Sequence, residues 1–302
     1  MEILVTGGSG FLGSHVADAL SDKGATVTIL DCNPSPFLRS DQKMICGDIL
    51  DFDFVNSVVA GKKYVFHYAG LADIDICKIR PRDAITINII GTTNLLEASV
   101  QHGISQFIFA SSAYVFSKHG FFYKTSKQTC ESLLHDYYDV FSLPYTCIRY
   151  GSLYGPRSDM HNSIHRIIRQ ALSEKKITYF GTGDELREYI HVADAAKLTA
   201  EVINTEKFLN ESIIITGNEK FFYRDILELV KEIVGGDIEI ILKKKRDSAH
   251  YKLTPYNYSP HLGKKVTNTE FVDFGQGILQ CIEAVATEIY QQQTGVVGTT
   301  VK

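Results

Sequence analysis

The sequence predicts an α/β protein: a doubly wound parallel sheet with a smaller mixed α/β lobe in its C-terminal half. Three observations carry this. Short apolar runs of strand length alternate with helix-length segments through the first half of the 302 residues. A glycine-rich turn joins the first run to the first helical segment. From about residue 160 the alternation loosens, which points to a second, less regular body against the sheet, with a ligand cleft at the sheet's carboxyl edge.

The first half supplies six strand candidates: "EILVTG" (2–7), "TVTILD" (26–31), "KMICGD" (43–48), "YVFHYA" (64–69), "QFIFASS" (106–112) and "YTCIRYG" (145–151). Their short apolar, often β-branched cores suit strands covered on both faces. Helical spacing places helices near 11–23, 52–60, 82–103 and 123–141, so successive parallel strands are joined by right-handed crossovers. Beyond them come a helix over "HNSIHRIIRQALSEK", a glycine-rich turn over "FGTGDELREY", a helix near 192–204 and a strand at 211–217. A helix at 223–235, a strand, a basic run, a Tyr/Pro stretch and a helix near 274–290 complete the chain, with "QQQTGVVGTTVK" expected to fray. Residues 1–160 are expected to form the dinucleotide-binding domain, with a return segment near 188–217, and residues 161–302 an interleaved substrate lobe.

Net charge is −4, so no basic field argues for nucleic acid or an anionic membrane. No run of 18 apolar residues is present to span a bilayer, and "MEILVTGG" lacks a signal-peptide pattern. The six scattered cysteines read as reduced thiols of a cytoplasmic protein. His67, His161, His165 and His191 lack metal-ligand spacing and read as structural; no metal is expected.

"TGGSGFLGSH" sets Gly7, Gly10 and Gly13 after the first strand and at a helix start, where close backbone approach and free N–H groups suit a pyrophosphate. Asp31 ends the second strand 18 residues beyond Gly13. There its carboxylate either caps a turn or accepts the two ribose hydroxyls of an adenosine, which would repel a 2′-phosphate and favour NAD over NADP. Asp48 and Ile49, in "GDILD", either clasp an adenine or, for Asp48, cap a helix. These features make the sheet Rossmann-type.

The pattern Tyr-x-x-x-Lys occurs at Tyr114/Lys118 and at Tyr123/Lys127. The first pair falls just past a strand, in a predicted loop. The second opens a helix, where residues i and i+4 stack one turn apart. A free tyrosine ionises near about pH 10, too high for a base at neutrality. A lysine ammonium and a nicotinamide charge beside it favour the phenolate, which makes Tyr123 the expected base and Lys127 its partner.

Nine collinear motifs support a resemblance that covers about residues 1 to 290: "VTGGSGFLG", "ILDCN", "GDILD", "VFHYAGLAD", "INIIGTTNLLEA", "FASSAYVF", "YKTSKQTCE", "IRYGSLYGPR" and "GTGDELREYIHVADAA". Together they resemble the extended short-chain dehydrogenase/reductase superfamily, and within it the NAD-dependent nucleotide-sugar epimerases and dehydratases. The resemblance implies that Phe11, Leu12, Asn33, Tyr68, Ala69, Leu71 and Tyr150 line the cofactor with the residues already named, and that Asn88 braces the strand ends and the active-site lysine. It makes Ser112 the hydroxyl that completes a triad with Tyr123 and Lys127, with Ser111 as the fallback, and leaves Tyr114 structural or substrate-facing. For a nucleotide-diphosphate sugar it points to Asp73, Ser152, Tyr179 and Arg187, with Arg246 reaching the second phosphate unless "KKKRD" is only a solvated turn; Arg187 is alternatively a helix cap.

The chain also departs from that pattern. Ser112-Ala113-Tyr114 stands where dehydratases of this group resemble Thr-Asp-Glu and decarboxylating relatives carry a glutamate, so dehydration is not expected. Ala72 replaces the lysine of the galactose epimerases proper, and Ser152 replaces an asparagine. Ser112 and Tyr123 are 11 residues apart, against a longer, proline-containing loop in relatives. The expected activity is 4-epimerisation through a 4-keto sugar, or else net C4 dehydrogenation; a non-catalytic NAD-sensing protein is the reading from another class. Relatives commonly form homodimers through the two helices here at about 82–103 and 123–141, as a four-helix bundle.

Overall fold

Eight parallel strands form the central sheet of the computed structural model, which describes residues 1–117, 119–203, 205–243, 264–266 and 270–294. The six apolar runs of the first half become β1 (Glu2–Thr6), β2 (Thr26–Asp31), β3 (Gln42–Cys46), β4 (Tyr64–His67), β5 (Gln106–Ser112) and β6 (Tyr145–Tyr150). Between them lie α1 (Phe11–Asp22), α2 (Phe52–Val59), α3 (Ile74–Ile79), α4 (Pro81–Ile85), α5 (Gly91–Gln101) and α6 (Phe121–Phe141). The second half adds β7 (Ser152–Tyr154), α7 (Ser163–Glu174), β8 (Lys176–Phe180), β9 (Leu186–His191), α8 (Val192–Ala200), β10 (Glu211–Ile215) and β11 (Lys220–Phe222). It ends with α9 (Tyr223–Val234), β12 (Glu239–Lys243), β13 (Lys264–Val266) and α10 (Phe274–Thr294).

The strand order is β3-β2-β1-β4-β5-β6-β10-β13. The chain leaves β1 toward β3, then returns to place β4 on the other side of β1, so a topological switch point opens between β1 and β4. Parallel strands end on one edge, which aligns the residues following β1, β2, β3, β4, β5 and β6 there. One face of the sheet packs Val16, Ala17 and Leu20 of α1 with Ala195, Ala196 and Leu198 of α8. The opposite face packs α2, α5 and α6 through Val55, Leu95, Leu96, Cys130 and Leu134. A separate core of Ile164, Ile168, Ile226, Val230, Ile278 and Val285 joins α7, α9 and α10.

Two small sheets, β11-β9-β7 and β12-β8, flank that third core. Within the expected return segment, α8 packs on α1 and β10 enters the large sheet, whereas β9 pairs with β7 and β11. The expected turn over 180–189 shrinks to the link between β8 and β9, because its last residues are buried strand. The single helix expected over 82–103 is interrupted by a π-helical segment, Thr86–Ile90, between α4 and α5. Residues 291–294 belong to α10 rather than to a frayed tail. No described helix is long and apolar enough to cross a membrane.

Candidate active site

The turn after β1 is held so closely that side chains do not fit. Gly7 adopts φ +71°, and a Cβ there would lie 2.5 Å from the Ala69 amide nitrogen. A Cβ on Gly13 would stand 2.2 Å from the Gly7 carbonyl oxygen, so α1 starts in direct contact with the loop. Its N-cap, Gly10, provides no side-chain hydrogen bond, leaving the first-turn amides of Phe11 and Leu12 to an outside acceptor. Asp31 faces this loop: its Oδ2 accepts from the Ser9 amide at 3.1 Å and its Oδ1 from the Asn33 amide at 3.1 Å. Glycine cradle, uncapped helix start and strand-end carboxylate fit the pyrophosphate and ribose of a dinucleotide.

Asp48 does not cap α2. Its Oδ1 accepts from the Leu50 amide at 2.9 Å, while Asp51 is the N-cap, accepting from Phe54 at 3.1 Å. Ile49 is fixed by the Asn94 amide on its carbonyl at 2.9 Å. Asn88 sits in the π-helical segment, where its side chain accepts from the Leu71 amide (2.7 Å) and donates to the Leu71 carbonyl (3.0 Å) and Ser126 Oγ (2.9 Å). It therefore braces the loop after β4 and the neighbour of Lys127 rather than the lysine itself. Tyr68 and Tyr150 meet hydroxyl to hydroxyl at 3.2 Å, and Tyr150 also meets Thr199 at 2.7 Å. Burial pushes both phenols up, so neither serves as a base near neutrality.

Ser112 ends β5, and Tyr123 and Lys127 lie in the first two turns of α6. The expected loop through Tyr114 is a 3₁₀ turn, Ala113–Phe116, capped by Ser112 Oγ, which accepts from the Tyr114 amide at 3.3 Å. Lys118 lies outside the described residues. The turn stands the Tyr114 ring edge-on to Tyr123 at 6.3 Å between centroids. Gly120, at φ +99°, starts α6; a Cβ there would press the Tyr114 ring at 2.9 Å. One turn in, buried Lys127 donates from Nζ to the Ala110 carbonyl at 2.8 Å, and the same nitrogen lies 5.9 Å from the centre of the Tyr123 ring. Burial is the main influence on Lys127 and lowers it from the ordinary lysine value, opposed by Cys130, Cys147, Glu131 and Cys77. Behind it, His67 bridges Thr6 (2.7 Å) and Thr92 (2.9 Å); burial first and Lys127 second pull it down to about 3, so it is neutral and structural.

Ser111, the fallback hydroxyl, is committed elsewhere: it donates to Glu131 Oε1 at 2.5 Å. Arg149 donates to the same carboxylate from Nε at 3.0 Å and Nη2 at 2.7 Å, and its guanidinium lies 4.7 Å from the Phe116 ring centre. The expectations above gave this network no role. Its signals in the sequence were the motif "YKTSKQTCE", which ends on Glu131, and the spacing of Tyr123, Lys127 and Glu131, each four residues apart on one helical stripe.

The expected sugar-nucleotide contacts separate into three places. Asp73 caps α3, accepting from the Ile76 amide at 2.6 Å, and its other oxygen meets His161 Nδ1 at 2.6 Å, across 88 residues of sequence. That contact escaped sequence reasoning, which treated His161 as structural. Arg187 is a buried residue of β9 rather than a helix cap, paired across from Phe221 and donating to the Leu186 carbonyl at 3.1 Å. Ser152, on the neighbouring β7, pairs with Tyr189 of β9, so Ser152 and Arg187 belong to one small sheet. Tyr179 stacks face to face on Tyr223, 4.0 Å between centroids and 11° between planes, with one ring face covered. Arg246 lies outside the described residues.

The parallel sheet with its glycine-cradled switch point is the Rossmann fold of an NAD-dependent short-chain dehydrogenase/reductase. The model of the NAD dependent epimerase/dehydratase family matches residues 3–215, and the chain belongs to that family. It is 30% identical over 264 residues to the uncharacterized UDP-glucose epimerase YtcB of Bacillus subtilis (strain 168), covering 78% of this chain and 83% of that one. It is 29% identical to UDP-N-acetyl-alpha-D-glucosaminuronate decarboxylase of Bacillus cytotoxicus, covering 79% and 82% of the two chains. Among solved structures, UDP-glucuronic acid 4-epimerase from Bacillus cereus, in complex with UDP-glucuronic acid and NAD, superposes with a TM-score of 0.82 at 26% identity, over 95% of this chain and 100% of that one. The protein is thus an NAD-dependent enzyme of epimerase/dehydratase type.

Proposed function

We propose that the chain is a nucleotide-sugar 4-epimerase that oxidises the sugar C4 hydroxyl transiently to a 4-keto intermediate. One observation carries this reading. Tyr123 and a buried Lys127 stand one helical turn apart on α6, and Ser112 ends β5 at the head of a turn, Ser112-Ala113-Tyr114, that holds no carboxylate for dehydration or decarboxylation. The Lys127 cation favours the Tyr123 phenolate. That oxygen takes the C4 hydroxyl proton while Ser112 Oγ bonds the same sugar oxygen. NAD, when bound, supplies a reversible hydride acceptor at the reacting carbon. Tyr123 returns the proton once the keto sugar has presented its other face, so protons and electrons balance without net redox. Gly7, Gly10, Gly13, Asp31, Asn33, Asp48 and Ile49 hold the cofactor; Arg187 forks onto the substrate diphosphate, with Tyr179 beside the base and Asp73 and Ser152 toward the sugar.

The segment between Ser112 and Tyr123 favours a second reading. It is short, and Phe121 and Phe122 at its end are exposed, giving a 4-keto sugar a way out as the product of a net dehydrogenase. We also infer a homodimer through the α4–α5 and α6 helices, whose Ile90, Tyr138, Val140 and Phe141 are exposed, and a cytoplasmic setting for its six free cysteines.

The test incubates NAD-loaded protein with UDP-, GDP-, CDP- and dTDP-hexoses, reading NADH by absorbance and C4 configuration by NMR. Inversion at C4 without net NADH is the expected result. Stoichiometric NADH with a keto sugar makes the enzyme the dehydrogenase. Tyr123→Phe is expected to lower kcat by about 10²- to 10⁴-fold; unchanged turnover removes Tyr123 as the base.

A further inference from the structure

The Ser111–Glu131–Arg149 network adjoins the proposed proton-transfer site through Ser111, the chain neighbour of Ser112, and Glu131, one helical turn from Lys127. Three elements meet in it: Ser111 is the second-to-last residue of β5, Arg149 the second-to-last of β6, and Glu131 projects from α6 on the stripe that carries Tyr123 and Lys127. Glu131 and Arg149 are both buried. A buried ion pair of this kind gives little net stability over apolar residues, so its presence beside the proposed reaction site calls for another reason. Ser111 immediately precedes Ser112, and their strand register sets them against Arg149 and Tyr150. Locking the Ser111 hydroxyl on Glu131 therefore fixes the strand end from which Ser112 Oγ extends. Phe116, packed on the Arg149 guanidinium, pins the far end of the same short turn.

The network also bears on Lys127. Facing that lysine are Phe109 and the Ala110 carbonyl of β5, Cys147 of β6, His67 of β4, Cys77 of α3, and Tyr123, Cys130 and Glu131 of its own helix. Burial holds His67 neutral and pushes the three thiols up, Cys77 to about 11, so all three remain uncharged near neutrality. Among the described residues, Glu131 is the carboxylate that acts on Lys127, and the positive Arg149 guanidinium donates to both of its oxygens.

We propose that Glu131 and Arg149 are positioning residues for the proton-transfer site, seating Ser112 through Ser111 and supplying the buried counter-charge to Lys127 from one helical turn away. The inference rests on the reading of Ser112, Tyr123 and Lys127 given above.

Glu131→Gln tests it in the NAD-loaded protein, because glutamine keeps the shape and removes the charge. With ¹³C-labelled lysine, the Lys127 Cε signal, assigned by its loss in Lys127→Met, reports the lysine's ionisation without substrate. Its midpoint is expected to fall by about one pH unit or more in Glu131→Gln. A midpoint equal to wild type overturns the counter-charge. Ser111→Ala leaves the ion pair intact and serves if Glu131→Gln does not fold; kcat is expected to fall about tenfold or more, with KM within about twofold. Wild-type kcat in Ser111→Ala overturns the seating of Ser112. If wild-type protein turns over no nucleotide sugar, the proposed function fails, while the lysine titration still decides whether Glu131 holds the charge.

Discussion

Replacing Gly13 by alanine puts a methyl carbon 2.2 Å from the Gly7 carbonyl oxygen, where ordinary contact begins at 3.4 Å. The obstacle is backbone, so no rotamer relieves it; the start of α1 and the loop must part by about an ångström. That movement takes the uncapped amides of α1 away from the pyrophosphate. We expect about 1–3 kcal/mol of lost stability from overpacking, and NAD affinity weakened about tenfold or more, since about 1.4 kcal/mol is a factor of ten. Two other glycines calibrate the effect. A Cβ on Gly10 would meet the same oxygen at 3.3 Å, a few tenths of an ångström from comfort, so Gly10→Ala is expected to weaken NAD by no more than about threefold. Gly24, at φ +78° with nothing within 4 Å, carries strain alone; Gly24→Ala is expected to lose about 1 kcal/mol and bind NAD as wild type does. Calorimetric titration with NAD and thermal unfolding of the three variants give the order. Wild-type NAD affinity in Gly13→Ala would refute the close-contact cradle.

Two further outcomes follow from the same structure. His67 is held down to about 3 against 6.5 unfolded, so the unfolded chain binds the extra proton between those values; stability is full above about pH 6.5 and declines as pH falls, with a slope approaching about 1.4 kcal/mol per pH unit. His67→Gln should flatten that part of the curve of Tm against pH, and an unchanged curve would mean His67 is already charged in the fold. Asp31→Asn keeps one acceptor and loses the charge, so NAD affinity should fall about tenfold and the preference over NADP should narrow; competition between the two dinucleotides measures it, and an unaltered preference would exclude Asp31 as the ribose acceptor.

Local signals carried most of the large sheet. β1, β2, β5 and β6 are apolar runs bounded by polar residues, and Gly7 and Gly13 announce their turn because no other residue fits there. Helix phase likewise put Tyr123 and Lys127 one turn apart on α6. What stayed hidden depends on distant partners. β7 and β11 are three residues each and exist through pairing with β9, so no run of their own marks them. Asp73 and His161 meet only because the chain returns across 88 residues. Asp48 and Asp51 are interchangeable as caps by composition, and only the path of the backbone assigns that role to Asp51.

The π-helical segment around Asn88 makes chain length, not only side-chain identity, a constraint on this site. Each α-helical residue advances about 100° around the axis, and a π turn accommodates one residue more than the surrounding helix. Excising a single residue from Thr86–Ile90 would restore regular winding and swing Asn88 or everything after it by that angle. Leu71 and Ser126 would lose their common brace although every one of the three side chains was still encoded. Conservative replacements of Ile87 or Ile89 should therefore be absorbed here far more readily than an insertion or deletion of one codon.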